Sequence, residues 1–492
     1  MENYMNFILT VILVSITFAQ VSDGYVLYTP GGQGVVNNFA SYLRDTDNSV
    51  FNSWSHSRGP ASMPYLVPGD DPGFENTLLY YPTTVPNPTM DTGGVGGKVE
   101  IYNWDGDLLW SYTLSNNDYQ HHHDIEPLPN KNFLIIAWER KYSNEWSSMG
   151  RTSVNNSLNQ MWSTVIFEIE PNLETGEANI VWEWHLWDHL VQDRGPNYGA
   201  TYGEISDHPE LMDINCNTVG SDGIGPGGNA NGDWIHVNAI SYNADLKQII
   251  LSSRHMSEIY IIEHTETSEI AAGHTGGIYG KGGDFLYRWG NPQNYDRGNN
   301  SDQILDAQHS VNWIPVGYPG EGNLILFNNF HTNSSSAALE FIPPLNPDGT
   351  YNLEDGEPYG PDSYNWIHTG GFQSNAQGGT FRLENGNTLI TVATESYIFE
   401  IDTNGNTVWS YDYPSNNAMI PRAQKYSYDY FDNILSLGDI NQDEIINILD
   451  IILTVNIILG TADFNQNADM NQDGIINILD VVNLLNTILG NN

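Results

Sequence analysis

The chain has 492 residues, of which 60 are acidic and 16 basic, so its formal net charge is -44 at pH 7. A field of that sign repels nucleic acids and anionic membranes and argues against both as partners. The single cysteine, Cys216, lies in a loop rich in Gly and Asn, where we expect a passive thiol.

The first 19 residues have the features of a signal peptide. Residues 7–19 are apolar and end in Thr-Phe-Ala, and the stretch is too short to span a bilayer. The segment before them is atypical, because it carries Glu2 and no Lys or Arg. We therefore expect cleavage near Ala19 and a soluble protein that is secreted or periplasmic, without a membrane span.

A loose repeat of strand patterns runs through residues 20–430. Its first half is an Asn-rich turn and an apolar strand, as in residues 128–136 and 383–390. Its second half is a strand ending in Glu-Ile, a turn and a strand with Trp, as in residues 399–409. Asp-Gly and Asn-Gly between such strands are hairpin signals. About five or six irregular copies predict a β-propeller, in which sheets stack radially; a β-sandwich is the alternative.

A run of three histidines and an aspartate, residues 121–124, precedes one of these strands. If the run is extended, His121 and His123 point one way and His122 the other. Three interpretations are open for it: cationic or hydrogen-bonding groups at a propeller rim, a zinc-type metal site, or ordinary turn histidines.

Three further polar clusters contain His or Arg beside a predicted strand. His236 lies in residues 233–240, and Arg254 follows it after a turn signal, so both should lie on one blade. A surface salt bridge is the alternative for Arg254. His309 lies in residues 306–313, where a lone histidine would usually be structural.

Two twelve-residue loops, 439–450 and 469–480, mark a change of character at the C-terminus. Each has oxygen-bearing side chains at loop positions 1, 3, 5, 9 and 12, which is the EF-hand spacing, and position 7 offers a backbone carbonyl. Position 6 is Glu444 in the first loop and Gly474 in the second, so the first site should bind calcium more weakly. The predicted calcium ligands are Asp439, Asn441, Asp443, Ile445, Asn447, Asp450, Asp469, Asn471, Asp473, Ile475, Asn477 and Asp480.

The C-terminal segment, residues 438–490, resembles a type I dockerin domain. Position 12 of each loop is Asp rather than Glu, and a single apolar helix follows each loop. The resemblance implies a small α-helical calcium-binding domain with a cohesin-type protein partner or an intramolecular docking site.

The polar clusters together resemble the bacterial arylsulfotransferase family over about residues 95–415. The shared motifs occur in the same order, as His122-His123-Asp124, residues 234–238, residues 252–259 and Gln308-His309. The resemblance implies a six-bladed β-propeller that moves a sulfuryl group from a phenolic sulfate ester to a phenol. It also implies a covalent sulfohistidine and no nucleotide sulfate donor, and the sequence has no Walker loop.

Residue roles follow from the resemblance. His309 would be the nucleophile, and His236, Arg254 and one of His122 and His123 would bind the sulfuryl oxygens. Two alternatives stay open: hydrolysis of a sulfate ester by the same histidine, and a non-catalytic propeller that binds glycans or proteins and is displayed through its dockerin. The physiological donor and acceptor are not determined by the sequence.

Overall fold

The structure, a computed structural model, describes residues 20–32, 39–69, 73–223, 228–415, 417–431, 438, 440–441, 446–462, 464–471 and 475–489. The predicted signal peptide lies outside this range, as do four predicted calcium ligands, Asp439, Asp443, Ile445 and Asp473. None of the helices in the described part of the chain is long and apolar enough to cross a membrane.

Six four-stranded antiparallel sheets form the blades of a β-propeller. The first three blades use β1 (Tyr25–Tyr28), β2 (Phe39–Arg44), β3 (Val50–His56), β4 (Tyr65–Val67), β5 (Leu78–Thr84), β6 (Gly97–Tyr102), β7 (Leu108–Thr113), β8 (Tyr119–Pro127), β9 (Phe133–Lys141), β10 (Met161–Pro171) and β11 (Ala178–His185). A small parallel sheet follows, made of β12 (Leu190–Gln192), β13 (Thr201–Tyr202) and β14 (Met212–Asp213).

The remaining blades continue in chain order. Their strands are β15 (Val237–Asn243), β16 (Gln248–Ser253), β17 (Glu258–Glu263), β18 (Tyr287–Trp289), β19 (His309–Trp313), β20 (Leu324–Thr332), β21 (Ser335–Phe341), β22 (Trp366–His368), β23 (Gly379–Arg382), β24 (Thr388–Val392), β25 (Tyr397–Ile401), β26 (Thr407–Asp412) and β27 (Ala423–Tyr426). The last strand, β27, pairs with β1 and completes the first blade, which closes the ring. The predicted six-bladed, mainly β fold is confirmed, and the β-sandwich alternative is wrong.

Tryptophans on the outer strands connect neighbouring blades, which explains why Trp recurs in the repeat. The Trp110 indole donates to the Glu177 carbonyl (2.9 Å), Trp289 to Pro361 (2.7 Å) and Trp409 to Thr46 (2.9 Å). In each pair the acceptor belongs to the next blade around the ring. Each large apolar ring thus fills the gap between two sheets while its one polar atom keeps a partner.

The helices are few. They are α1 (Ser143–Ser148), α2 (Ser268–Ala271), α3 (Ile448–Ile458) and α4 (Ile478–Leu489), with 3₁₀ turns at Phe74–Asn76, Leu186–Asp188, Ile205–Asp207, Pro292–Tyr295, Ala393–Glu395, Tyr428–Phe431 and Gln466–Ala468.

Both long helices belong to the C-terminal segment, whose two halves repeat one arrangement. Asp450 is buried and accepts the backbone N–H groups of Ile440 and Asn447, both at 2.8 Å. Asp480 is also buried and accepts the N–H of Asn477 at 2.7 Å. The last acidic residue of each predicted calcium loop therefore ties the loop to the start of its helix.

Candidate active site

The four candidate histidines lie on the inner strands of three consecutive blades, at the start of two strands and in the middle of the third. His122 and His123 are in β8, His236 directly precedes β15, and His309 opens β19. In each case the pairing of the inner strand with its neighbour shifts register close to the site. His123 and His236 have φ values of 54° and 52°, and Ser310, next to His309, has 61°. Such bulges and left-handed residues redirect side chains at functional sites.

The bulge in β8 overturns the predicted alternation of its histidines. His122 and His123 lie together, with their Nδ1 atoms 2.9 Å apart, whereas the Nδ1 of His121 accepts the Gly97 N–H at 2.9 Å. The expectation that His121 and His123 share one side is therefore wrong, because an extended strand was assumed and His123 adopts a left-handed conformation.

The four predicted histidines converge and are buried. The ring centroid of His123 lies 4.7 Å from that of His236 and 6.5 Å from that of His309. The His122 centroid lies 6.4 Å from that of His236. Burial lowers the pKa of both His122 and His123 well below the ordinary value. These rings are therefore neutral at pH 7 and serve as hydrogen-bonding groups rather than cations.

The surroundings of His309 fix its tautomer. Its Nδ1 lies 2.7 Å from the side-chain oxygen of Asn329, whose amide nitrogen donates to the carbonyls of Ser374 and Gln377 at 2.9 and 2.8 Å. Because that amide is oriented by two acceptors, His309 must carry its hydrogen on Nδ1. Burial lowers the pKa of His309 to about 3. Its Nε2 therefore keeps a lone pair, contacted by the Gln377 N–H at 3.3 Å.

An aspartate that the motif analysis left without a role orients two of the other groups. Asp233 is buried and accepts from His236 Nδ1 through one oxygen and from the Trp138 indole through the other, at 2.9 Å. Trp138 stacks on His122 with a centroid separation of 4.0 Å. Burial acts to raise the pKa of Asp233, but the His236 imidazole outweighs it and lowers the pKa below the ordinary value. The signal available in the sequence was the placement of Asp233 three residues before His236.

Arg254 supplies a cation beside the histidines. Its backbone N–H bonds to the His236 carbonyl at 3.0 Å, and its charge helps to lower the pKa of His309. Burial lowers the pKa of Arg254 itself. Within the described ranges its guanidinium makes no hydrogen bond or ion pair, so the surface salt bridge considered as the alternative for Arg254 is not formed. Three more deeply buried arginines each hold a carboxylate: Arg288–Glu258, Arg382–Glu340 and Arg422–Asp124.

Asp124, the carboxylate in the metal-site interpretation of residues 121–124, has other partners in the structure. Asp124 accepts from the Tyr65 hydroxyl (2.7 Å), Ser62 (3.1 Å) and Arg422, and so ties three blades together. In the part of the chain that the structure describes, three-residue groups able to hold a metal occur elsewhere, as Asp233–His236–His255 and His189–His274–Asp284.

Comparison with known proteins identifies two families. A model of the arylsulfotransferase (ASST) family matches residues 89–341, and a model of the dockerin type I domain matches residues 437–489. No curated protein matches the chain.

The solved structures that match the chain resemble it only distantly. A protein of unknown function from Bacteroides caccae is 12% identical with a TM-score of 0.40, covering 82% of this chain and 99% of that chain. The periplasmic gluconolactonase PpgL of Pseudomonas aeruginosa is 10% identical with a TM-score of 0.36, covering 81% and 99%. At these identities and scores, neither protein indicates the chemistry of this chain.

Proposed function

The chain belongs to the arylsulfotransferase family, and we propose that it moves a sulfuryl group from a phenolic sulfate ester to a phenol through a covalent adduct on His309. Membership supports a sulfotransferase-type enzyme in general. The observation that supports the finer proposal is the convergence of His123, His236 and His309 beside Arg254, whose charge acts on His309.

In the proposed first step the Nε2 lone pair of His309 gives up its hydrogen bond from the Gln377 N–H and attacks sulfur, and the bond from sulfur to the phenolic oxygen breaks. The leaving phenolate takes a proton from a neighbouring imidazole. Negative charge spreads over the three sulfuryl oxygens, as it does in phosphoryl transfer, so a fixed cation and oriented N–H donors lower the barrier. Arg254 supplies a permanent charge with forked donors. Asn329 holds the Nδ1 hydrogen of His309 and so stabilises the positive charge on the ring of the adduct.

In the second step the acceptor phenol attacks the same sulfur, the bond from sulfur to Nε2 breaks, and the acceptor hydroxyl releases its proton. We propose that His236 exchanges the proton in both steps. Its Nδ1 faces the Asp233 carboxylate, so its Nε2 is the atom that gains and loses hydrogen. The proton lost to the leaving phenolate is regained from the acceptor, and the enzyme returns to its starting state.

The two histidines of β8 take different parts in this proposal. The ring of His123 is the nearer to His236 and His309, so we assign it the contact with a sulfuryl oxygen. The Nδ1–Nδ1 hydrogen bond makes the tautomers of His122 and His123 depend on each other. The buried Nε2 of His122 has no hydrogen-bond partner among the described residues, which is consistent with a ligand atom bonding there.

The test is mass spectrometry after brief incubation with an aromatic sulfate and no acceptor. We expect one SO₃ group on His309 and none on the His309→Ala variant, whose transfer rate should fall about 10⁴-fold or more. The matched control is His331→Ala, a partly exposed histidine in the same blade, which should keep normal turnover. Normal turnover by His309→Ala would refute the proposal. Free sulfate as the main product with a phenol present would favour hydrolysis instead.

We also propose that the C-terminal segment holds calcium through its oxygen donors. Type I dockerin domains bind calcium, and the segment offers buried carboxylates at Asp450, Asp469 and Asp480, which suit a hard cation. Calcium would order the loops before α3 and α4 and take no part in sulfuryl transfer.

Dockerin-bearing proteins are typically extracellular. We propose a signal peptide at residues 1–19, a propeller at 20–430, a dockerin at 438–490 and a cohesin-type partner.

A further inference from the structure

A second cluster of two histidines and a carboxylate lies away from His309, at the outer strands of the third and fourth blades. His189 follows β11, and His274 and Asp284 stand at the two ends of a glycine-rich loop that leads to β18. The Nδ1 atoms of His189 and His274 lie 2.7 and 2.8 Å from the same oxygen, Oδ1 of Asp284. Neither the family resemblance nor the proposed reaction uses these residues.

The ring of His189 is fixed in one tautomer. Its Nε2 lies 2.8 Å from the Ala271 carbonyl, which only accepts hydrogen bonds, so Nε2 carries the hydrogen. Trp184 stacks on the ring with an interplanar angle of 6°. Gly283 packs so closely that a Cβ there would lie 2.7 Å from His189 Nε2. A neutral His189 therefore directs the lone pair of Nδ1 at a carboxylate oxygen.

Two acceptors that face each other in a buried place require a positive centre between them, either a proton or a metal ion. Several features favour the metal. A metal-binding histidine typically donates its other N–H to a backbone carbonyl, as His189 does here. Two imidazoles and a carboxylate form a ligand set of zinc. The side chain of His274 is 49% exposed, which gives an ion access from solvent and leaves room for a bound water.

We propose that His189, His274 and Asp284 bind a divalent transition-metal ion of the zinc type through Nδ1, Nδ1 and a carboxylate oxygen. Zinc bonds of about 2.0 Å place adjacent tetrahedral ligand atoms about 3.3 Å apart. The Asp284 carboxylate and the half-exposed His274 must then both move outward slightly, while His189 stays fixed by Ala271 and Trp184. The ion would tie the glycine-rich loop of the fourth blade to the edge of the third blade.

The test uses the full-length, metal-stripped protein in millimolar calcium, which saturates the oxygen-rich C-terminal loops. Zinc is titrated by calorimetry, and cobalt is titrated by visible absorption, which reports nitrogen and oxygen coordination. We expect one zinc ion that His274→Ala and Asp284→Asn each bind at least about 100-fold more weakly. The control is His208→Ala, because His208 is a partly exposed histidine that faces one carboxylate, Glu210, at 3.1 Å.

Amide hydrogen exchange gives a second readout that does not depend on catalysis. Zinc should slow exchange across residues 273–283 in the wild-type protein and leave it unchanged in His274→Ala. Circular dichroism should be the same for the wild type and His274→Ala, since His274 is half exposed. The proposal is overturned if the wild-type protein binds no zinc, or if His274→Ala binds zinc as tightly as the wild type does.

Discussion

The propeller site and the C-terminal segment build their polar sites in opposite ways. The propeller brings His123, His236 and His309 together from three blades, and Asn329 and Gln377 orient the last of them. Each C-terminal loop instead draws its predicted ligands from twelve consecutive residues and closes on one buried aspartate. The first site depends on the whole ring being folded, whereas the second depends on a local loop and its ion.

The segments also differ in how they are stabilised. Extended clusters of buried apolar side chains join neighbouring blades. Among the described residues of the C-terminal segment, the buried apolar side chains are Ile440, Ala468 and Leu484, with partly buried apolar side chains packed against them. A core of that size leaves metal binding and folding as one linked equilibrium. The two regions should therefore respond differently to the same perturbation.

After the loss of His309 itself, the largest effect is expected at Asp233, which orients His236. Asp233→Asn offers an amide N–H to His236 Nδ1 and favours the wrong tautomer, so kcat should fall about 10³-fold with little change in KM. Steady-state kinetics over a range of pH would measure it. The control, Asp296→Asn, replaces an aspartate with φ 55°, a conformation that Asn tolerates. A kcat within threefold of wild type would show that Asp233 does not orient a reacting group.

A smaller effect is expected on the pH dependence of stability. Burial lowers the pKa of His121 to about 3, whereas an unfolded histidine titrates near 6.5. Below pH 6.5 the unfolded chain takes up a proton that the folded chain refuses. The contribution of such a histidine to the free energy of unfolding is therefore complete above about pH 6.5. It decreases as the pH falls toward 3, by up to about 1.4 kcal/mol per pH unit for each such histidine.

Urea unfolding at pH 7.5 and 5.5 measures this loss. Burial raises the pKa of Glu126 to about 8, which acts in the opposite sense, so the comparison of wild type with His121→Gln isolates one histidine. The variant should lose less stability on acidification than the wild type. Equal losses in both proteins would mean that His121 is protonated in the fold.

The smallest effect on catalysis is expected from calcium removal. Chelation should abolish much of the helical signal of α3 and α4 while sulfuryl transfer stays within about twofold, because the proposed reacting groups are all in the propeller. Circular dichroism and the transfer assay on one sample measure both. Parallel loss of helix and activity would show that the two regions are coupled and that the propeller site depends on the C-terminal segment.

The same contrast explains what could be predicted from the sequence. The calcium loops could be predicted from the sequence because their ligands have a fixed local spacing. The blades could be predicted because Asn-Gly turns and Trp residues recur along the chain. Convergence of His122, His236 and His309 is non-local, so no spacing rule gives it, and the family resemblance supplied it. The bulge that turns His123 was missed because alternation assumes a regular strand. Asn329 and Gln377 carry no local pattern that marks them as partners of His309.

The pairing of β27 with β1 has a consequence for how the protein is made. Residues 423–426 are among the last of the propeller to leave the ribosome, yet they form the inner edge of the first blade. The early blades can form during synthesis, but the ring of blades closes only when β27 pairs with β1. A chain cut short ahead of β27 would therefore stay an open arc.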